Sequence, residues 1–191
     1  MALVSRSDRR PSRVGRLARR FLRDRDGATA VEFAFVSIPF LLLVYGIIEL
    51  GMVFLLSMSL ENAVATAGRQ VRTGQAQIQA MDKAGFAKAV CDQMSWLGGT
   101  CKDTIRLDVR VVPSFASTNA LPPPPNTTCW RPGLPGAVVM VRAYYAWPVI
   151  TPFMAEALNY HDGQREVTAA TVFANEPFNA PTGYVDTPCA N

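Results

Sequence analysis

Residues 33–54 read F-A-F-V-S-I-P-F-L-L-L-V-Y-G-I-I-E-L-G-M-V-F, and as far as Ile48 the one ionisable side chain among them is Tyr45. A bilayer's hydrocarbon core takes roughly 20 apolar residues as helix. The stretch is therefore expected to be a membrane-inserted helix that carries a single carboxylate, Glu49. Pro39 lies inside it. Proline removes a backbone hydrogen bond and tends to kink a helix, but membrane helices tolerate it.

The charge is divided around this span. The 191 residues carry 19 Lys and Arg against 15 Asp and Glu, a net +4. Residues 1–27 hold nine Arg and three Asp, a balance of +6, which leaves ten basic against twelve acidic residues, −2, for the rest. A basic segment abutting an apolar span is the cytoplasmic flank under the positive-inside rule. Residues 1–27 are thus expected in the cytoplasm, and those after about residue 60 outside it. The arginine run belongs to this leader, so nothing in the remainder calls for a nucleic-acid partner.

The leader itself fits common targeting signals poorly. Arg19-Arg20 runs straight into Phe21-Leu22, one residue short of a twin-arginine pattern, and Asp8, Asp24 and Asp26 count against a mitochondrial presequence. Ala63-Val64-Ala65 and Ala65-Thr66-Ala67 would serve a secretory signal, but the apolar stretch before them is too long. A cytoplasmic leader removed at Gly27 fits better.

Beyond the span the helical pattern persists. Leu60, Val64, Ala67 and Val71 recur every three or four residues until Gly74 interrupts them. One helix is expected over 28–73, near 70 Å at 1.5 Å per residue, a length that suits a stalk leaving a membrane. A second helix is expected over 83–97, with Asp82 as N-cap, Phe86, Val90 and Met94 on one face, and Gly98-Gly99 at its end. Strict alternation of apolar and charged residues over 105–112 predicts a strand that Pro113 stops. Residues 113–136 are proline-rich, and the run at 122–125 reads as a stiff polyproline loop. Strands follow over 137–148 and 165–174, with Thr151 and Pro152 placed to start a short helix between them. Helices first and strands later argue for an α+β fold. It would comprise the long N-terminal transmembrane and stalk helix, a short second helix, and a small, about three-stranded antiparallel sheet with a Pro-rich loop. The expected parts are a basic leader, 1–27, a transmembrane and stalk helix, 28–74, and an outer α+β domain, 75–191.

Cys91, Cys101, Cys129 and Cys189 all fall on the outer side. An even count in an oxidising compartment suggests two disulfides, with three connectivities open. Cys91 with Cys101, and Cys129 with Cys189, is preferred because the first pair is close in sequence; buried free thiols are the alternative. The sequence contains no phosphate-binding glycine loop, no H-E-x-x-H and no G-x-S-x-G. His161 is the single histidine and reads as a solvated loop residue; Glu156, Asp162 and Glu166 are near it in sequence, with nothing to fix their geometry. Neither an enzyme nor a metal or other cofactor is expected.

What remains is the pattern around Gly27: a small-residue junction at the cytoplasmic face and Glu32 at the edge of hydrocarbon. A carboxylate near the membrane centre costs about 2.5–3.5 kcal/mol, less near the interface, and generally has a partner. If the chain is cut after Gly27, Ala28 becomes a positively charged N-terminus and Glu32 the fifth residue. In a bundle that carboxylate would pair with a neighbour's amino group. An interfacial glutamate favoured by the helix N-terminus is the other reading, and the residues alone leave both open.

G-A-T-A-V-E-F, residues 27–33, resembles the Gly-x4-Glu-aromatic processing motif of type IV pilins, particularly of the Flp/Tad class. The longer run G-A-T-A-V-E-F-A-F-V-S-I-P-F-L-L-L-V-Y-G-I-I-E-L-G resembles the TadE-like minor pilins (pseudopilins). The likeness continues in Asn62-Ala63, in A-G-R-Q-V-R-T-G at 67–74, and in T-A-A-T-V-F-A-N-E-P-F at 168–178. The resemblance implies a minor pilin that takes part in assembling a Tad (Flp) type IVb pilus. A prepilin peptidase would cut between Gly27 and Ala28, with Glu32 and Phe33 serving subunit assembly. It further implies a single-pass protein of the bacterial inner membrane, N-terminus cytoplasmic and outer domain periplasmic, for use in the pilus. The implied partners are other minor and major pilins, one of them TadG-like, the assembly platform with its ATPase, and a secretin. Glu49 matches the family's Glu-Leu-Gly; an intramembrane pairing with another subunit, or a mark of the outer interface, are its two readings. An uncleaved single-pass envelope protein whose outer domain binds a partner is the alternative to the whole.

Overall fold

The computed structural model describes residues 27–116, 129–151, 164–186 and 189. The leader, the prolines at 122–125, the helix expected at Thr151-Pro152, and His161 with Glu156 and Asp162 fall wholly or mainly outside the described residues. The chain divides into two compact units, Met1–Gly46 and Ile47–Asn191.

In the first unit the described residues are helical almost throughout. Helix α1, Ala28–Arg72, starts here, and Pro39 sits inside it without ending it. Phe33, Phe35, Ile38 and Phe40 are all exposed. They follow no single stripe, so the helix is apolar all round, which is the pattern of a membrane span rather than of a surface helix. From Thr29 the helix is long and apolar enough to cross a membrane, with a mean hydropathy of 2.3 over 18 residues.

The second unit is an α+β domain built on the rest of α1. From Val53 onward α1 has a buried stripe, Leu56, Leu60, Ala63, Val64, Ala67 and Val71, at the spacing of one helical face. The stripe joins a core with one face of a three-stranded antiparallel sheet, order β1-β2-β3: β1 Ile105–Val111, β2 Val138–Pro148, β3 Gln164–Ala174. Residues alternate between the faces of a strand. The register Val109↔Val141 and Val141↔Thr171 therefore puts Leu107, Val109, Val139, Val141, Ala143 and Ala169 on the core side. Residues 129–131 run along the free edge of β1: the Val109 N–H donates to the Cys129 carbonyl (3.0 Å) and the Arg131 N–H to that of Val109 (2.8 Å). Covering an edge in this way removes a template for unwanted strand pairing.

Three small helices complete the core. After α2, Gln75–Ile78, comes α3, Lys83–Gln93, whose Asp82 N-cap accepts a bond from the Gly85 N–H at 2.7 Å. Phe86, Val90 and Met94 are fully buried, and the Phe86 ring lies 4.9 Å from that of Trp130. The helix expected to reach residue 97 stops earlier: Ser95–Leu97 is a 3₁₀ turn, followed by Gly98 at φ +61° and α4, Thr100–Thr104. The disulfide Cys91–Cys101 closes over this break, its Cα atoms 5.8 Å apart. The second disulfide, Cys129–Cys189, ties the C-terminal tail to the edge segment beside β1, where Arg131 also pairs with Asp186 at 2.7 Å. Both disulfides are the preferred pairing.

The far face of the sheet is not simply solvated. Asp108 on β1 is buried opposite Arg142 on β2 and receives Arg142 Nε at 3.0 Å and Arg110 Nη2 at 2.7 Å. Next along the strands, Arg106 pairs with Glu166 and lies 5.7 Å from the centre of the Tyr144 ring. Burial pushes the Tyr144 phenol above its ordinary range, with the Arg142 guanidinium pulling the other way.

Candidate functional site

The residues singled out in the sequence fall at three places along α1. At its start Gly27 is exposed, and a Cβ built there would meet nothing within 4 Å. Ala28 is the first helical residue; Glu32 and Phe33 follow, both exposed, Phe33 at 73%. The first N–H groups of a helix have no partner inside it and carry partial positive charge. Glu32 stands four residues after Ala28, so the two share one face, one turn apart. A chain beginning at Ala28 would present amine and carboxylate side by side to a neighbour.

The second place is Glu49, in the second unit. Its side chain is 6% exposed, yet the adjacent Ile48 and Leu50 are open. The carboxylate is held from within the chain: Oε1 accepts the Ile150 N–H at 2.5 Å and Oε2 the Thr151 N–H at 2.9 Å. Hydrogen bonds to an ionised group are roughly twice as strong as neutral ones. Each oxygen here has one, and two backbone donors at the end of β2 are satisfied in return. Glu49 is thus an internal clamp between α1 and the segment after β2. No local pattern forecasts this contact, because the partners lie about 100 residues apart in sequence.

The third place unites two stretches that are distant in sequence, 67–74 and 168–178. Gly68 faces β3, where an added Cβ would stand 3.2 Å from the Phe173 ring. The Glu176 N–H donates to the Arg72 carbonyl at 2.8 Å, and the two side chains pair at 3.1 Å. Gly74 has φ +79°, and the Phe178 ring lies against its Cα so closely that any Cβ would collide with it. Just beyond, Gln77 Nε2 and Asn175 Nδ2 both donate to the Pro132 carbonyl, at 3.0 and 2.9 Å. The end of α1 is in this way locked to the end of β3 by backbone, charge and ring contacts together.

Most of α1 now has a counterpart outside this chain. Residues 27–69 match the family model described as TadE-like protein. The N-terminal helix is TadE-like. The match takes in Gly27, Glu32, Glu49 and Gly68, stops three residues short of the end of α1, and leaves the sheet outside it. No curated protein and no solved structure matches this chain.

Two substitutions probe these contacts. Gly74→Ala is expected to destabilise the second unit by about 1–2 kcal/mol through the left-handed backbone alone, and further through displacement of Phe178. Urea unfolding should show the loss, and Phe178→Ala added to it should cost less than it does in the parent. Glu49→Gln keeps one acceptor but turns an NH₂ group toward the other amide, an expected cost of about 1–3 kcal/mol. Hydrogen exchange should then quicken at the Ile150 and Thr151 amides while Val109 and Val141 keep their protection.

Proposed function

We propose that the protein is a minor pilin, or pseudopilin, that helps assemble a Tad (Flp) type IVb pilus. The observation that carries this reading is the G-A-T-A-V-E-F junction, residues 27–33, at the start of a helix matched by the TadE-like family over 27–69. In this reading a prepilin peptidase cleaves Gly27–Ala28 at the cytoplasmic face of the inner membrane. The mature chain stays anchored by α1, its α+β domain in the periplasm, until it is drawn into the pilus. Its partners are other minor and major pilins, the assembly platform with its ATPase, and the secretin. The role is structural: the chain is a peptidase's substrate and needs no cofactor of its own.

The physical logic lies in the new terminus. Cleavage exposes a positive α-amino group at the positive end of the helix, where repulsion favours a nearby anion. A neighbour's Glu32 supplies one, and its own desolvation cost falls when it is paired. The pair would fix both the register and the depth of adjoining helices.

The open surroundings of Gly27 separate processing from folding. Gly27→Phe should leave the thermal unfolding of the second unit unchanged while full-length precursor accumulates in host membranes; Gly27→Ala should be processed. Normal processing of the Phe variant would rule out recognition of this bond. Glu32→Val should be cleaved yet fail to enter pili, as read by immunoblot of sheared filaments. Pili formed as in the parent would exclude the proposed pairing.

A further inference from the structure

The surface of α1 around the Glu49 clamp is apolar well beyond the clamp itself. Glu61 is the first charged residue after Glu49, twelve positions on, or about 18 Å of helix. Between them, on the side away from the core, Phe54 is 69% and Met58 67% exposed. A bilayer that covers this surface reaches at least as far as Met58, about 13 Å past the level of Glu49. The two amides bound by Glu49 must therefore lie below that boundary. The adjacent side chain agrees: Ile150 is 78% exposed.

A second observation marks the same boundary. Trp96 donates its indole N–H to Ser59 Oγ at 3.3 Å, and its ring lies 6.2 Å from that of Trp147. Tryptophan is enriched at the headgroup level, where an apolar ring with one polar edge meets both lipid and water. Ser59 immediately follows Met58, so Trp96, itself exposed, sits where the apolar surface ends. Gln79, exposed and five positions past Gly74, lies beyond the opposite end of α1.

We propose that Ile150, two residues past β2, is a second membrane contact: the α+β domain rests on the outer leaflet, with Ile150 in the acyl chains and Trp96 among the headgroups. The occupant of this surface is lipid. Glu49 lowers the cost of the contact, because each of the two amides finds an acceptor in its carboxylate and neither needs water at that depth. The domain is then held at a fixed height against the bilayer, not free on a stalk. The inference rests on the reading of α1 as a membrane span.

The test uses the full chain in vesicles of phosphatidylcholine and phosphatidylglycerol. All four cysteines are in disulfides, so an introduced cysteine is the one free thiol for an environment-sensitive fluorophore. Labels are placed by Ile150→Cys, by Phe40→Cys within the span and by Gln79→Cys as the aqueous reference. Doxyl-labelled lipid should quench the labels at 150 and 40 to a comparable degree, with iodide quenching only the label at 79. Iodide quenching at 150, with the label at 40 still quenched by lipid, would overturn the membrane contact and leave the span intact. Protection of 150 from both quenchers would also overturn it, since protein would then cover the surface. A label at 40 open to iodide would refute the span itself, and this inference with it.

Discussion

One helix has to satisfy two environments, and the rest of the structure follows from how it does so. Through its first half α1 is apolar on every side; from Val53 onward it must also supply the central stripe of a domain core. These demands overlap. Between Glu49 and Met58 one face is buried against the chain's own domain while the opposite face stays exposed and apolar. The domain is therefore built around the second half of the apolar helix. The burial of Leu56, Leu60, Val64 and Val71 is the common element to which the sheet, α3 and both disulfides are added.

That arrangement gives the polar residues of α1 their meaning. A carboxylate among Ile48 and Leu50 would be costly alone, but two backbone N–H groups just past β2 donate hydrogen bonds to it. At the far end, Arg72 and Gly74 receive Glu176 and Phe178. The helix is thus gripped by β2's exit at one level and β3's exit at another, about 23 residues, or roughly 35 Å, further along. Tension or torque on the helix would be passed to the sheet through both points.

Much of this was legible in the sequence because it depends on local periodicity. An unbroken apolar run gave α1 to within a residue at its end, alternation gave β1, and all three strands differ from their expected bounds by one residue at most. Asp82 announced the start of α3 by its side chain alone. The elements that escaped are short or non-local. Four-residue α2 and five-residue α4 are too brief to show a period. The stop at Gln93, four residues short of the expected end, has no mark in the local pattern. The alternation in β1 marked its charged face but not that Asp108 on it is buried between two arginines. In the candidate site, Gly27, Glu32 and Glu49 stood out as chemically odd residues in an apolar setting. The partner of Glu49 did not, because backbone N–H groups have no sequence signature. Gly74 was visible as a helix breaker, whereas its role as the seat of the Phe178 ring required the fold.

The account turns on what the N-terminus of the mature protein is. Intact mass and N-terminal sequencing of the protein extracted from its native membranes decide this directly. A chain beginning at Ala28 is the predicted result, with Glu32 as fifth residue beside a free α-amino group. A chain beginning at Met1 or Ala2 would contradict the pilin reading and leave a single-pass anchor whose outer domain acts in the envelope uncleaved.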